Sequence, residues 1–266
     1  MPEVEKQTAD GHFLDTNVVF DIVYPGRNRH EDAIGFYKKF RNYELAIESA
    51  VHAECNKVIL QYVGKFITLF ESFLASLRRQ GRDWNKIFPK NRSSILTEFI
   101  QGVSKNKSGV DPDFLPFFKE ITEELKPDIV RLNIEDVKQF LLILPSKLTG
   151  RLKDQIAARF SVCIPYWDLT DEDVIKFKES AKEVMRLEFS NASLKNDLEI
   201  FVNLIILLNY GGTDDEEYKK ITLYTKDDSF LEKSKKVSLN PPALKSEEHS
   251  EKLRMALSCF IVQSPY

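Results

Sequence analysis

Four carboxylates in this chain stand at positions where a fold needs something else, and together they could hold a metal. Asp15 closes a short apolar run in HFLDTN (12–17), where Phe13 and Leu14 lead straight into Asp15, Thr16 and Asn17. Asp227 closes another in LYTKDDSF (223–230). Glu54 falls at helical spacing on the apolar stripe Val51, Cys55, Val58, Ile59 and Tyr62. Asp197 falls on the stripe Leu194, Ile200, Phe201, Leu204, Ile205 and Leu208. Two acids thus take core-facing places near helix starts, where an unpaired carboxylate is expensive. Taken singly, each has a plain structural reading: a salt bridge, a helix-start interaction or an edge that reaches water. Taken together they repel, since two charges 4 Å apart cost about 4 kcal/mol at an effective dielectric near 20. Such a cluster must take up protons or bind cations. Oxygen-only donors match Mg²⁺ or Mn²⁺, and a cage of this kind suits phosphodiester hydrolysis, in which the metal activates water and offsets charge on the phosphate.

The elements that must position these acids read as follows. A strand at 12–15, a helix at 17–23 ended by Pro25-Gly26, a helix at 31–41, a strand at 43–48 and a long helix from 50 to about 80 open the chain. Residues from there to about 190 read as entirely helical, with helices at 92–105, 113–126, 134–144, 148–160 and 171–189. Asp111-Pro112 and the run Thr170 to Asp173 supply capping oxygens and negative charge for helix starts. An apolar helix at 192–209, closed by Gly211-Gly212, leads through the polar TDDEEYKK to a strand at 221–225. Helices at 228–235 and 246–257 and a strand at 259–263 complete it. Alternation of strands and helices implies a parallel sheet covered on both faces, in which sites gather at the carboxyl ends of strands and adjoining helix starts. All four acids hold such positions. The intervening helices are too many for an ordinary connection. The expectation is therefore a core at 10–60 and 190–266 with a large all-helical insertion at 61–189.

These residues resemble the PIN-domain nucleases. The resemblance rests on FLDTN (13–17), SAVHAE (49–54), NDLEIF (196–201) and TKDDSF (225–230), and covers roughly 10–60 and 190–235. It implies a three-layer α/β/α sandwich around a parallel sheet and divalent metal held by Asp15, Glu54, Asp197 and Asp227. It also implies endoribonuclease action on single-stranded RNA, leaving a 5′-phosphate and a 3′-hydroxyl. The middle of the chain has no counterpart in the compact family core. Such a protein is either a toxin restrained by an antitoxin or a processing nuclease, and a homo-oligomer stays open. Two rival readings stand beside it: an inactive PIN-like module that binds RNA or protein, and a metal-dependent nuclease acting on DNA flaps.

Around the four acids, further assignments stay open. Asp228 could be the ligand in place of Asp227. Glu199 is an auxiliary candidate, although two residues turn about 200° around a helix from Asp197. Thr16 reads as a local turn former. Asn17 either bonds the backbone or orients Asp15, and Thr225 either orients a ligand or simply ends a strand. Between 78 and 92, Arg78, Arg79, Arg82, Lys86, Lys90 and Arg92 face one acid, Asp83, with Trp84 and Phe88 interleaved. That pattern is either a nucleic-acid surface with stacking rings or a solvated loop with its aromatics in the core.

The bulk composition limits the alternatives. With 42% hydrophobic and 30% charged residues among 266, the chain has the make-up of a folded protein. A net charge of −3 confines any nucleic-acid contact to a local patch. Three scattered cysteines suggest no disulfide framework and point to a reducing, cytoplasmic setting. The polar start lacks a signal-peptide core and the longest apolar run is too short to span a bilayer. The four histidines lack metal-ligand spacing, and no glycine-rich nucleotide loop or serine-hydrolase elbow occurs.

Overall fold

The computed structural model describes residues 8–40, 44–105, 114–164, 171–186, 188–189, 195–211 and 217–266. The fold is mixed α/β, built on a five-stranded sheet. In chain order, β1 (Thr8–Leu14) is followed by α1 (Thr16–Val23), α2 (His30–Tyr37), β2 (Leu45–Glu48) and α3 (Ser49–Arg79). A 3₁₀ turn at Trp84–Lys86, α4 (Pro89–Lys105), α5 (Phe114–Ile129) and α6 (Ile134–Ala157) come next. Then follow β3 (Ser161–Cys163), α7 (Glu172–Met185), α8 (Lys195–Tyr210), β4 (Glu217–Tyr224), α9 (Asp228–Leu239), α10 (Glu247–Ser258) and β5 (Phe260–Gln263).

Every strand pairing is parallel, in the order β3-β2-β1-β4-β5. The chain first builds outward from β1 through β2 to β3, then crosses to the other side for β4 and β5. β1 is therefore central, and the order reverses between β1 and β4. Connections leaving these two strand ends run in opposite directions, the switch point at which open α/β sheets usually place their sites. In register, Leu14 of β1 lies opposite Tyr224 of β4. Phe13, Leu14, Leu45, Ile47, Ile221 and Leu223 are all buried, the continuous apolar character of strands covered on both faces. Helix α8, buried from Ile200 to Leu207, packs on β4, β2 and α7.

The chain forms two compact units. One comprises residues 1–22, 31–55 and 155–266 and contains the sheet; the other comprises 23–30 and 56–154. Helix α3 begins in the first and continues into the second. Its most apolar stretch, with mean hydropathy 1.4, is long enough to cross a membrane. Its buried residues Val51, Cys55, Ile59, Val63, Phe66 and Phe70 recur every three or four positions, as on an amphipathic helix with one face in a core.

Three sequence expectations change. β3 lies inside the stretch read as all helical; a three-residue strand is too short to show a period. The helices read at 134–144 and 148–160 are one, α6, which tolerates Pro145 in its interior. β4 begins at Glu217, four residues before the expected start. Its first residues, EYKK, are largely exposed, so their polarity read as loop. Residues 41–43, 111–113 (with the expected helix start at Asp111-Pro112), 165–170, 187, 190–194 and 212–216 of the expected elements and loops lie outside the described residues.

Gly11 is fixed by close approach in β1. A Cβ there would stand 2.8 Å from both Phe13 Cε2 and Tyr218 Cδ1, and Phe13 is fully buried. Gly11→Ala is expected to cost about 1–3 kcal/mol through overpacking of the central strand, read from the midpoint of urea unfolding.

Candidate metal centre

Asp15 is the first residue past β1, and its backbone serves two elements. Its N–H donates to Tyr224 O at 2.9 Å, extending the pairing with β4. Its carbonyl accepts from Val18 and Val19 at 3.0 and 3.1 Å, starting α1. Its side chain, 3% exposed, is thus trapped at the carboxyl edge of the sheet. Asp227 is the N-cap of α9, its Oδ1 accepting from Phe230 N at 3.0 Å. Asp197 is the third residue of α8. Glu54 lies one and a half turns into α3, beside the buried Cys55. The start of α3 is itself held by Glu48, which accepts from the Ser49 hydroxyl and from Ala50 N.

A hydrogen-bonded relay ties these segments together. Asn196 Nδ2 donates to Glu54 Oε1 at 2.9 Å. Thr16 Oγ1 donates to Glu54 Oε2 at 2.6 Å, while Thr16 N donates to Asp15 Oδ1 at 2.7 Å. Thr225 Oγ1 donates to Asp15 Oδ2 at 2.7 Å and accepts from Asp227 N at 3.1 Å. The sequence runs Asn196–Glu54–Thr16–Asp15–Thr225–Asp227, through four segments far apart in the chain. Asp197 adjoins one end of it and makes no hydrogen bond through its side chain among the described residues.

The electrostatics show that the four acids feel one another. Burial pushes the Asp15 carboxyl up to about 6; the Thr225 and Thr16 bonds oppose this, and the charges of Glu54 and Asp227 add to it. Burial pushes Asp197 up to about 8, with Asp15, Asp227 and Glu54 all contributing in the same direction. Lys226, next to Asp227, is engaged by the buried Asp21, so it does not serve as their counterion. Burial and the charges of Glu54 and Asp15 also hold the Cys55 thiol far above its usual range, which makes it a poor nucleophile.

The secondary candidates separate. Thr225 is buried and bonds Asp15. Asn17 is half-buried in the first turn of α1 and makes no bond to Asp15 among the described residues. Asp228 is exposed at the first position of α9. Glu199 turns to α7, where it pairs with Lys178 at 2.9 Å and with Lys182. Its own burial raises its pKa, but the two lysines outweigh that and the net shift is downward. The geometry adds three residues that the sequence reading did not weigh as part of the site: Thr16 as a bridge rather than a turn former, Asn196, and Glu48 as the cap of α3. Asn196 stood beside Asp197 in the quoted NDLEIF, and polarity at a helix start was its only signal.

In the second unit, Arg92 departs from the basic surface read at 78–92. It is 6% exposed, and its guanidinium donates to the carbonyls of Trp84, Val130 and Leu132. Arg78, Arg79, Arg82, Lys86 and Lys90 are exposed.

The donor set is oxygen-only and anionic, and burial with the neighbouring charges raises the proton affinity of Asp15 and Asp197; a hard divalent cation fits both features. Among the described residues, no three His, Cys, Asp or Glu side chains already converge on one point as a chelating group. No family model, curated protein or solved structure matches the chain.

The raised carboxyl of Asp197 fixes a pH dependence. Its folded pKa, about 8, exceeds the usual carboxylate value of about 4. The folded state therefore binds the proton more tightly, and stability falls as pH rises through this window. Asp197→Asn removes the penalty. It is expected to reduce the slope between pH 4 and 8, Asp15 keeping its own share up to about pH 6, and to add on the order of 1–2 kcal/mol at the alkaline end, after allowance for solvent screening. Urea unfolding across that range reads both.

Proposed function

We propose that the chain is a metal-dependent endoribonuclease of PIN type, its sheet forming the centre of a three-layer α/β/α sandwich. The relay Asn196–Glu54–Thr16–Asp15–Thr225–Asp227 carries this reading. Asp15 and Glu54, two carboxylates bridged through Thr16 at a strand end, with Asp227 tied through its backbone N–H to the threonine that orients Asp15, are more than the fold needs there and are what a cation site would use. Asp15, Glu54, Asp197 and Asp227 would hold Mg²⁺ or Mn²⁺. The bound cation supplies positive charge against the phosphate and lowers the pKa of water. Thr16 and Thr225 aim the two oxygens of Asp15, and Asn196 with Thr16 aims those of Glu54, the orienting role that outer-shell partners play around metal ligands. Asp197 and Asp15 would release their protons to solvent as a cation binds, so binding would tighten as pH rises through about 6 to 8. The substrate is single-stranded RNA, cut to leave a 5′-phosphate and a 3′-hydroxyl.

Cleavage of a labelled single-stranded RNA with Mn²⁺ tests the assignment, with single-stranded and flapped DNA alongside. Wild type is expected to cut RNA and to stop in EDTA. Asp15→Asn combined with Asp197→Asn is expected to be inactive, and Asn196→Leu to lose about 10–100-fold. Equal, EDTA-resistant cleavage by wild type and the double variant would refute the site, and preferential cutting of flapped DNA would refute the substrate.

A further inference from the structure

The second unit presents a cation-rich surface that the carboxylate centre does not explain. Arg78 and Arg79 end α3, Gly81 turns the chain at φ +73°, and Arg82, Lys86 and Lys90 follow. All five cations are exposed. Lys86 has Asp83 at 3.9 Å; Arg78, Arg79, Arg82 and Lys90 make no ion pair among the described residues.

This surface stands on a clamped base. Trp84, 4% exposed, donates through Nε1 to Leu132 O at 3.1 Å. Arg92 stacks over the Trp84 ring at 5.1 Å and donates to Leu132 O at 2.8 Å and Val130 O at 3.0 Å. Asn85 Oδ1 accepts from Ile134 N at 2.8 Å. The loop is thereby pinned to the connection between α5 and α6. Out of this pinned loop Phe88 projects, 75% exposed. A groove of about 670 Å³ is lined by Arg78, Arg82, Trp84, Leu74, Glu71 and Glu135.

We propose that this surface, formed by Arg78, Arg79, Arg82, Lys90 and Phe88, binds single-stranded nucleic acid. The unpaired cations match backbone phosphates. An exposed ring in the same loop, between Lys86 and Lys90 in the chain, matches an unstacked base, which every single strand offers and a duplex withholds. The groove's carboxylates can accept from base amino groups. A membrane is the poorer partner, because insertion needs a broad apolar face and one phenylalanine buries little. The clamp means that little ordering is lost on binding, which favours affinity.

Anisotropy of a labelled oligouridine of about 15 nucleotides, titrated with the full chain in EDTA at about 0.05 to 0.2 M salt, tests this apart from cleavage. EDTA withholds the divalent cation that cleavage would need, so binding is read whether or not the chain cuts RNA, and failure of the nuclease reading leaves this result intact. Arg78→Gln, Arg79→Gln and Arg82→Gln together are expected to weaken binding about tenfold or more, with a salt slope shallower by about 2. Phe88→Ala is expected to weaken it about tenfold at unchanged slope. Lys90→Gln with Phe88→Ala provides a second variant should the triple change lower the unfolding midpoint. The proposal falls if the oligouridine does not bind at the lowest salt, or if the variants keep wild-type affinity and slope. It also falls if the chain binds phosphatidylserine vesicles and not the oligouridine.

Discussion

Asp15 is where the demands of the sheet and the electrostatics of the acids collide. Its backbone closes the pairing of β1 with β4 and starts α1, so its side chain is committed to the crevice whatever that costs. Once it is there, Glu54, Asp227 and Asp197 surround it with like charge. Two threonine hydroxyls, the Thr16 backbone N–H and the Asn196 side-chain amide recover part of the cost by donating to Asp15 and Glu54. The remainder appears as raised proton affinity at Asp15 and Asp197. A cation relieves what hydrogen bonds cannot, because it opposes the charge instead of spreading it.

Topology makes the arrangement cheap to build. Strand order β3-β2-β1-β4-β5 places the reversal beside β1, so Asp15 and the Thr225–Asp227 turn lie at neighbouring strand ends. Helix α8 packs on β4 and β2, and its first turn brings Asn196 and Asp197 to the same edge as Glu54. The acids come from segments separated by more than two hundred positions, yet each needs only a strand end or a helix start. The same economy explains Glu48. A fully buried carboxylate at the end of β2 survives because α3 begins with free N–H groups that it can accept from; burial raises its pKa, and its bonds to Ser49, Ala50 and Asn203 moderate the shift.

What could be read from the chain follows from which forces act locally. HFLDTN and LYTKDDSF mark strand ends because apolar runs stop abruptly at acids, and Glu54 and Asp197 stand out because they interrupt helical stripes. Those signals are short-range. The relay is not, since no local pattern says that the Thr16 hydroxyl meets Glu54 or that Asn196 does, and both residues have ordinary uses at helix starts. The same holds for Arg92. Its neighbours made it look like part of a solvated basic face, but Trp84 and the carbonyls after α5 draw it inside. Glu199 illustrates the reverse, where the 200° offset on the helix already separated it from Asp197 and α7 supplies the lysines it turns toward. β3 was hidden by its three-residue length.

The central claim is that these carboxylates form one cation site. A crystal of the protein soaked in millimolar Mn²⁺ and measured at the manganese absorption edge tests it most directly. A shared cation site gives an anomalous peak at metal–oxygen distance from Asp15 and from at least two of Glu54, Asp197 and Asp227, with Thr16 and Thr225 still bonded to Asp15. An ordered crevice holding no peak, or manganese bound elsewhere while the four acids stay apart, would contradict it.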